Sequence, residues 1–259
     1  MTLGKTLACI DVDLAVPGRV LCRGLNVRFE PGQVWAVLGR NGTGKSTLIH
    51  ALAGLARPTR GRVELAGVPL ERMDPTQRAR SVGVLLQLEE GAYAGRVSEY
   101  VLLGRFPHAA GWTGYAREDI QEAAAALEHM RMSDFGGRRV ASLSGGERQR
   151  VRIAQILAQR PGIFLMDEPL QHLDLAHQAH VLTLIGSRVR ERNETAVMVL
   201  HEPLWIGRVC THALIFSGDG EVIGGVAADL LTRERLEHAY GCGLSEVAQG
   251  EGRCFVPNV

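Results

Sequence analysis

Two observations predict an α/β fold built around a buried parallel sheet. Four short apolar runs, at 34–38, 81–86, 163–166 and 196–200, are too unbroken to be half-exposed strands. Each run ends in polar residues: a glycine-rich loop from Gly39, Gln87, the pair Asp167 and Glu168, and His201. Open α/β sheets bind ligands at the carboxyl ends of their strands. Polar side chains from four distant stretches are therefore expected along one edge.

The first run leads into Gly39-Arg40-Asn41-Gly42-Thr43-Gly44-Lys45-Ser46, which matches the phosphate-loop pattern GxxxxGK[ST]. A helical pattern, STLIHALAGLA, follows and begins with Ser46 and Thr47. Glycines let backbone N–H groups close around phosphates, and a helix start favours negative charge. Lys45 is the expected neutraliser of β and γ phosphates, and the Ser46 hydroxyl the expected Mg²⁺ contact.

The second run ends at Gln87, whose amide oxygen could reach that Mg²⁺ or the attacking water. On its own it reads as an ordinary solvent-facing glutamine after a strand. The segment 143–150, LSGGERQR, opens a helical pattern whose apolar positions Val151, Ile153, Ile156 and Leu157 partly suit one face. Capping by Ser144 would explain the serine. It leaves Gly145 and Gly146 unexplained, because two glycines at a helix start lose backbone entropy without gaining packing. A ligand approaching this second helix start would account for them.

The third run ends in Asp167 and Glu168. An acid at the end of a buried strand suits a Mg²⁺ ligand, the role expected of Asp167, and Glu168 would polarise the attacking water. His201 closes the fourth run. A lone histidine there is usually a satisfied core group, and only the neighbouring motifs promote it.

Bulk properties exclude several classes. The formal net charge of +1 offers no global attraction to nucleic acid or anionic lipid. The sequence has no run of about 18 uncharged apolar residues, the length that would span a bilayer, and the N-terminus has no apolar core of a signal peptide. The five cysteines show no metal-ligand spacing and read as reduced, mostly buried thiols of a cytosolic protein.

The phosphate loop, Gln87, LSGGE at 143–147, FLMDEP at 164–169, the Leu173-Asp174 loop and His201 occur together in one order. In this the chain resembles the nucleotide-binding subunit of ATP-binding cassette (ABC) transporters, over nearly its whole length. The resemblance implies a P-loop NTPase (RecA-like) core with an N-terminal antiparallel β subdomain and an inserted α-helical subdomain. Residues 1–87 and 158–259 would form the ATP-binding core and 88–157 the helical subdomain that docks on membrane subunits. It further implies a head-to-tail homodimer, with Ser144, Gly145 and Gly146 of one copy at the γ-phosphate of ATP and Mg²⁺ held by the other. Glu168 would be the general base, His201 would hold the γ-phosphate, and Asp174 would contact the second copy.

EYVLLGRFPH at 99–108, DLAHQAHVL at 174–182 and LTRERLEHAYG at 231–241 resemble ATPases of iron–siderophore, haem and cobalamin importers. These work with integral permease subunits and, indirectly, with a periplasmic or extracellular substrate-binding protein, and sit peripherally at the cytoplasmic face of the membrane. The chain departs from the family pattern at Val16, where an adenine-stacking aromatic is common, and at Gln155, where arginine is common. The competing reading is a soluble cassette of the DNA-repair or translation type. A single phosphate loop, no sustained heptads between Gln87 and Leu143, and near-neutral charge argue against it.

Overall fold

The computed structural model describes residues 6–87, 93–109, 114–200, 203–249 and 252–258. The chain starts as antiparallel strands β1 (Leu7–Val16) and β2 (Arg19–Phe29), then enters the interior as β3 (Val34–Leu38). Helix α1 (Lys45–Leu52) follows the phosphate loop, and β4 (Arg60–Leu65) and β5 (Val68–Pro69) return to the first sheet. That sheet has the order β2-β1-β4-β5, the antiparallel layer expected at the N-terminus.

Helix α2 (Pro75–Ser81) precedes β6 (Val82–Leu85). A helical stretch then holds α3 (Val97–Leu102), α4 (Arg117–His129) and α5 (Gly145–Gln159). The chain re-enters the interior as β7 (Ile163–Asp167), α6 (Leu175–Arg192), β8 (Thr195–Val199), α7 (Pro203–Val209) and β9 (His212–Phe216). It closes with β10 (Val222–Val226), α8 (Ala227–Leu230), α9 (Arg233–Tyr240) and the hairpin β11 (Leu244–Gln249) and β12 (Gly252–Pro257). The hairpin packs on α7 and α9 and had no counterpart in the sequence reading.

The central sheet has the order β10-β9-β3-β8-β7-β6, with β9, β3, β8, β7 and β6 parallel. The four apolar runs are thus neighbours, each within a residue or two of its expected bounds. Their side chains alternate between two cores, as the period of two requires. Trp35, Val37, Leu165 and Val197 face the antiparallel layer and α1. Ala36, Phe164, Met166 and Met198 face the helical stretch and α6. Val37 is level with Val199, and Val199 with Asp167, so these carboxyl ends form one edge.

Buried ion pairs tie neighbouring segments together. Arg105 donates to Asp119 at 2.9 Å and to the Ala158 carbonyl at 2.9 Å, and Arg188 forks onto Glu194 at 3.0 and 2.8 Å. Cys9, Cys22 and Cys210 are buried free thiols and Cys242 is exposed; the side chain of Cys254 lies outside the described residues. Burial pushes the Cys9 and Cys210 thiols up to about 12, as suits unreactive core residues. Among the described residues no helix is long and apolar enough to cross a membrane.

Candidate active site

The phosphate loop leaves β3 through left-handed backbone at Gly39 (φ 135°), Gly42 (φ 75°) and Gly44 (φ 115°). A Cβ on Gly39 would stand 2.6 Å from the Phe216 carbonyl oxygen, and one on Gly44 2.8 Å from the Leu21 Cβ. Glycine is required at both, by conformation and by space. Thr43 donates to the Arg40 carbonyl at 2.8 Å and pins the turn. Lys45 is 5% exposed, and its Nζ donates to the Gly39 and Arg40 carbonyls at 2.8 Å each. Burial lowers the lysine pKa, while the nearby Glu168 and Asp167 carboxylates oppose that shift. The ammonium is thus poised inside the loop on two replaceable backbone contacts. Asn41 and Thr47 flank it on the loop and on α1.

Asp167 ends β7 against α1. It is 2% exposed, and neither carboxylate oxygen has a hydrogen-bond partner of good geometry. Burial raises its pKa; the adjacent Ser46 hydroxyl pulls the other way. An orphaned carboxylate in a polar cleft fits a cation, since such groups are otherwise costly. Mg²⁺ therefore suits the oxygen donors present.

Glu168 follows at φ 52°, left-handed backbone that costs a non-glycine residue about 1–3 kcal/mol and marks sites held by their surroundings. Buried Gln149 of α5 donates to the Glu168 carbonyl at 3.3 Å and to the Pro169 carbonyl at 3.1 Å. A cavity of about 340 Å³ opens beside Glu168, lined also by Leu170, His172, Gln178 and Leu200. Gln178 ties the loop above it, donating to the Leu173 carbonyl at 3.1 Å and accepting from Trp205 at 3.0 Å. Gln87 is exposed just past the end of β6. His201 lies outside the described residues.

Ser144 caps α5: its hydroxyl accepts from the Glu147 N–H at 3.3 Å, and the Glu147 carboxylate accepts from the Ser144 N–H at 2.8 Å. These bonds hold the Glu147 carboxyl below the usual range. Gly146 has a reason within its own chain. A Cβ there would stand 2.8 Å from the His172 carbonyl oxygen, whereas one on Gly145 would meet the His172 ring at 3.4 Å. Close approach of the His172 carbonyl therefore accounts for Gly146, where the sequence suggested an approaching ligand. Asp174 caps α6, accepting from the His177 N–H at 2.9 Å and its Nδ1 at 2.7 Å, and its side chain is otherwise 67% exposed.

The structure thus gathers the phosphate loop, Ser46, Asp167 and Glu168. The signature segment 143–147 joins them through the His172 loop and Gln149. Gln149 was missed by motif reading. Its one signal was a polar residue four positions before Ile153, on the apolar stripe of the helix.

The model of the ABC transporter family matches residues 22–171. The chain belongs to the ABC transporter family. The hemin import ATP-binding protein HmuV of Burkholderia thailandensis is 38% identical, over 90% of this chain and 92% of that protein. The iron(3+)-hydroxamate import ATP-binding protein FhuC of Bacillus subtilis is 35% identical, over 91% and 88%. Among solved structures, an inward-facing metal-chelate type ABC transporter matches with a TM-score of 0.84 at 29% identity, covering 98% of each chain. The dimeric bacterial ABC transporter cassette MJ0796 shares the fold, with a TM-score of 0.75 over 85% of this chain and 98% of that one. As an ABC cassette the chain binds ATP and is an ATPase.

Proposed function

We propose that the chain energises uptake of a metal chelate or corrinoid (iron–siderophore, haem or cobalamin) through separate membrane subunits at the cytoplasmic face. The observation that carries the ATPase site is the buried, unpartnered Asp167 carboxylate beside Ser46 and within the field of Lys45. The names of the relatives, which import hemin and iron hydroxamate, support the class of cargo.

In this reading the N–H groups from Gly39 to Thr47 wrap the phosphates, and Lys45 exchanges its two carbonyl contacts for β and γ oxygens. Ser46, Gln87 and Asp167 would hold Mg²⁺. The bound ion supplies positive charge that offsets the charge developing on the transferred phosphoryl group. Glu168 accepts a hydrogen bond from water in the cavity beside it and acts as base, and His201 steadies the γ-phosphate. Catalysis is positioning plus charge neutralisation.

A second copy packs head to tail, so that its Ser144, Gly145 and Gly146 complete the site and Asp174 meets the neighbour. Residues 88–157 dock on the permease, which receives cargo from a substrate-binding protein.

The test is ATP binding and turnover. Lys45→Ala is expected to weaken Mg-ATP binding at least tenfold, and unchanged affinity would remove the phosphate-loop assignment. Reconstitution with the membrane partner should show ATPase activity stimulated by a metal chelate or corrinoid on its binding protein. Stimulation by some unrelated solute class would overturn the proposed cargo.

A further inference from the structure

Helix α5 carries a polar line of contacts that joins two ends of the site. Gln149 is 2% exposed on a face otherwise packed with Ile153 and Ile156. A buried amide must find partners. Its nitrogen donates to the Glu168 and Pro169 carbonyls, and its oxygen accepts from Arg152 Nη1 at 3.0 Å. Residues three apart lie on one helix face, so Arg152 reaches this oxygen without distortion. The other end of the same guanidinium donates to the Leu86 carbonyl, one residue before Gln87. Tyr100 of α3 sits against it too and helps keep it charged against burial.

The line therefore runs from the Leu86 carbonyl through Arg152 and Gln149 to the carbonyls of Glu168 and Pro169. Hydrogen bonds in series polarise one another and act as a unit. Glu168 sits in left-handed backbone, a conformation that persists only where its surroundings impose it. The Gln149 bonds are part of what imposes it. The forked guanidinium serves Leu86 and Gln149 at once from its two ends.

We propose that Arg152 is a positioning residue for hydrolysis: through Gln149 it locks the orientation of Glu168 to the position of the Gln87 segment. The inference rests on the roles proposed above for Gln87 and Glu168. Its consequence is mechanical. A shift of the Gln87 segment or of α3 relative to the sheet pulls on Arg152 and loosens Glu168, while the phosphate loop, on the other side of β8, keeps its hold on ATP.

The experiment uses the full chain and two shape-keeping variants, Arg152→Lys and Gln149→Met, with kcat, KM, ATP affinity and thermal melting measured for each. Each variant should lose roughly tenfold in kcat with ATP affinity close to wild type; Arg152→Lys should also melt close to wild type, while Gln149→Met, which leaves buried carbonyls unpaired, should melt lower. The double variant should lose no more than either single one, because the bonds lie in series. A double loss equal to the product of the single losses overturns the relay. So does full turnover by Arg152→Lys, which would show that charge alone suffices. Should Gln149→Met fail to fold, the kcat-against-KM split in Arg152→Lys decides alone, and an equal fall in affinity and melting counts against positioning. Glu168→Gln is the control. If it turns over ATP at the wild-type rate, the underlying roles are wrong; if it is inactive while Arg152→Lys is fully active, only the relay is wrong.

Discussion

The carbonyl oxygen of His172 stands 2.8 Å from the point where a Cβ on Gly146 would be, while Gly145 has ordinary contact room of 3.4 Å to the His172 ring. The signature glycines are therefore unequal. Gly146→Ala must displace backbone, at a cost of about 1–3 kcal/mol for overpacking. Gly145→Ala meets only a side chain and gains up to about 1 kcal/mol of helix propensity. Melting of the isolated chain should fall for Gly146→Ala and stay level or rise for Gly145→Ala. Equal shifts would mean that the His172 loop yields freely.

Ser144 serves its own helix as a cap and, in the proposed dimer, the neighbour's nucleotide. The two roles separate by substitution. Ser144→Ala should cost about 1 kcal/mol of stability from the lost cap. Ser144→Arg should lose the same cap and also block hydrolysis, leaving ATP affinity of the monomer intact. Full ATPase activity in Ser144→Arg would remove the shared-site model.

Glu168→Gln keeps shape and removes the base. Turnover should drop by at least about a hundredfold, the usual worth of a positioned base. ATP binding should persist, so the variant should accumulate as an ATP-bound dimer in size-exclusion chromatography. A variant that stays monomeric at saturating ATP would contradict head-to-tail closure.

The sheet edge was readable from sequence because its determinants are local. An apolar run bounded by polar residues specifies a buried strand, and β3, β6, β7 and β8 fall where those runs lie. GxxxxGKS dictates its own backbone, as the positive φ values of Gly39, Gly42 and Gly44 show. Capping by Ser144 was readable from its place before the helix, and the structure adds Glu147 as the second half of a capping box. The contacts that sequence did not reveal are tertiary. Arg152 and the Leu86 carbonyl meet only because α5 packs over β6, and Gly146 meets His172 only because the loop after β7 folds back on α5. Nothing near these residues in the chain encodes such distances. The hairpin of β11 and β12 escaped for another reason: its alternation is broken by glycine and polar residues.

Asp167 sets a conflict between stability and function that pH can expose. Burial disfavours its charged form and raises its pKa in the folded chain, outweighing the adjacent Ser46 hydroxyl. Unfolded, the carboxyl titrates near its ordinary value of about 3.9. Between these two values the folded chain holds the proton and the unfolded chain does not. Stability therefore rises as pH falls through the raised value, and the penalty is fully present above it. Asp167→Asn removes the charge at every pH. Without metal at about pH 7 it should melt higher than wild type, by an amount equivalent to about 1–2 kcal/mol. That gap should narrow as the pH is lowered toward about 4. Added Mg-ATP should reverse the order, because only the carboxylate gains a cation, and Asp167→Asn should not hydrolyse ATP. A variant that melts lower than wild type at neutral pH, by the same margin at every pH, would show that the carboxylate stabilises the empty fold and would take away the physical basis for placing Mg²⁺ there.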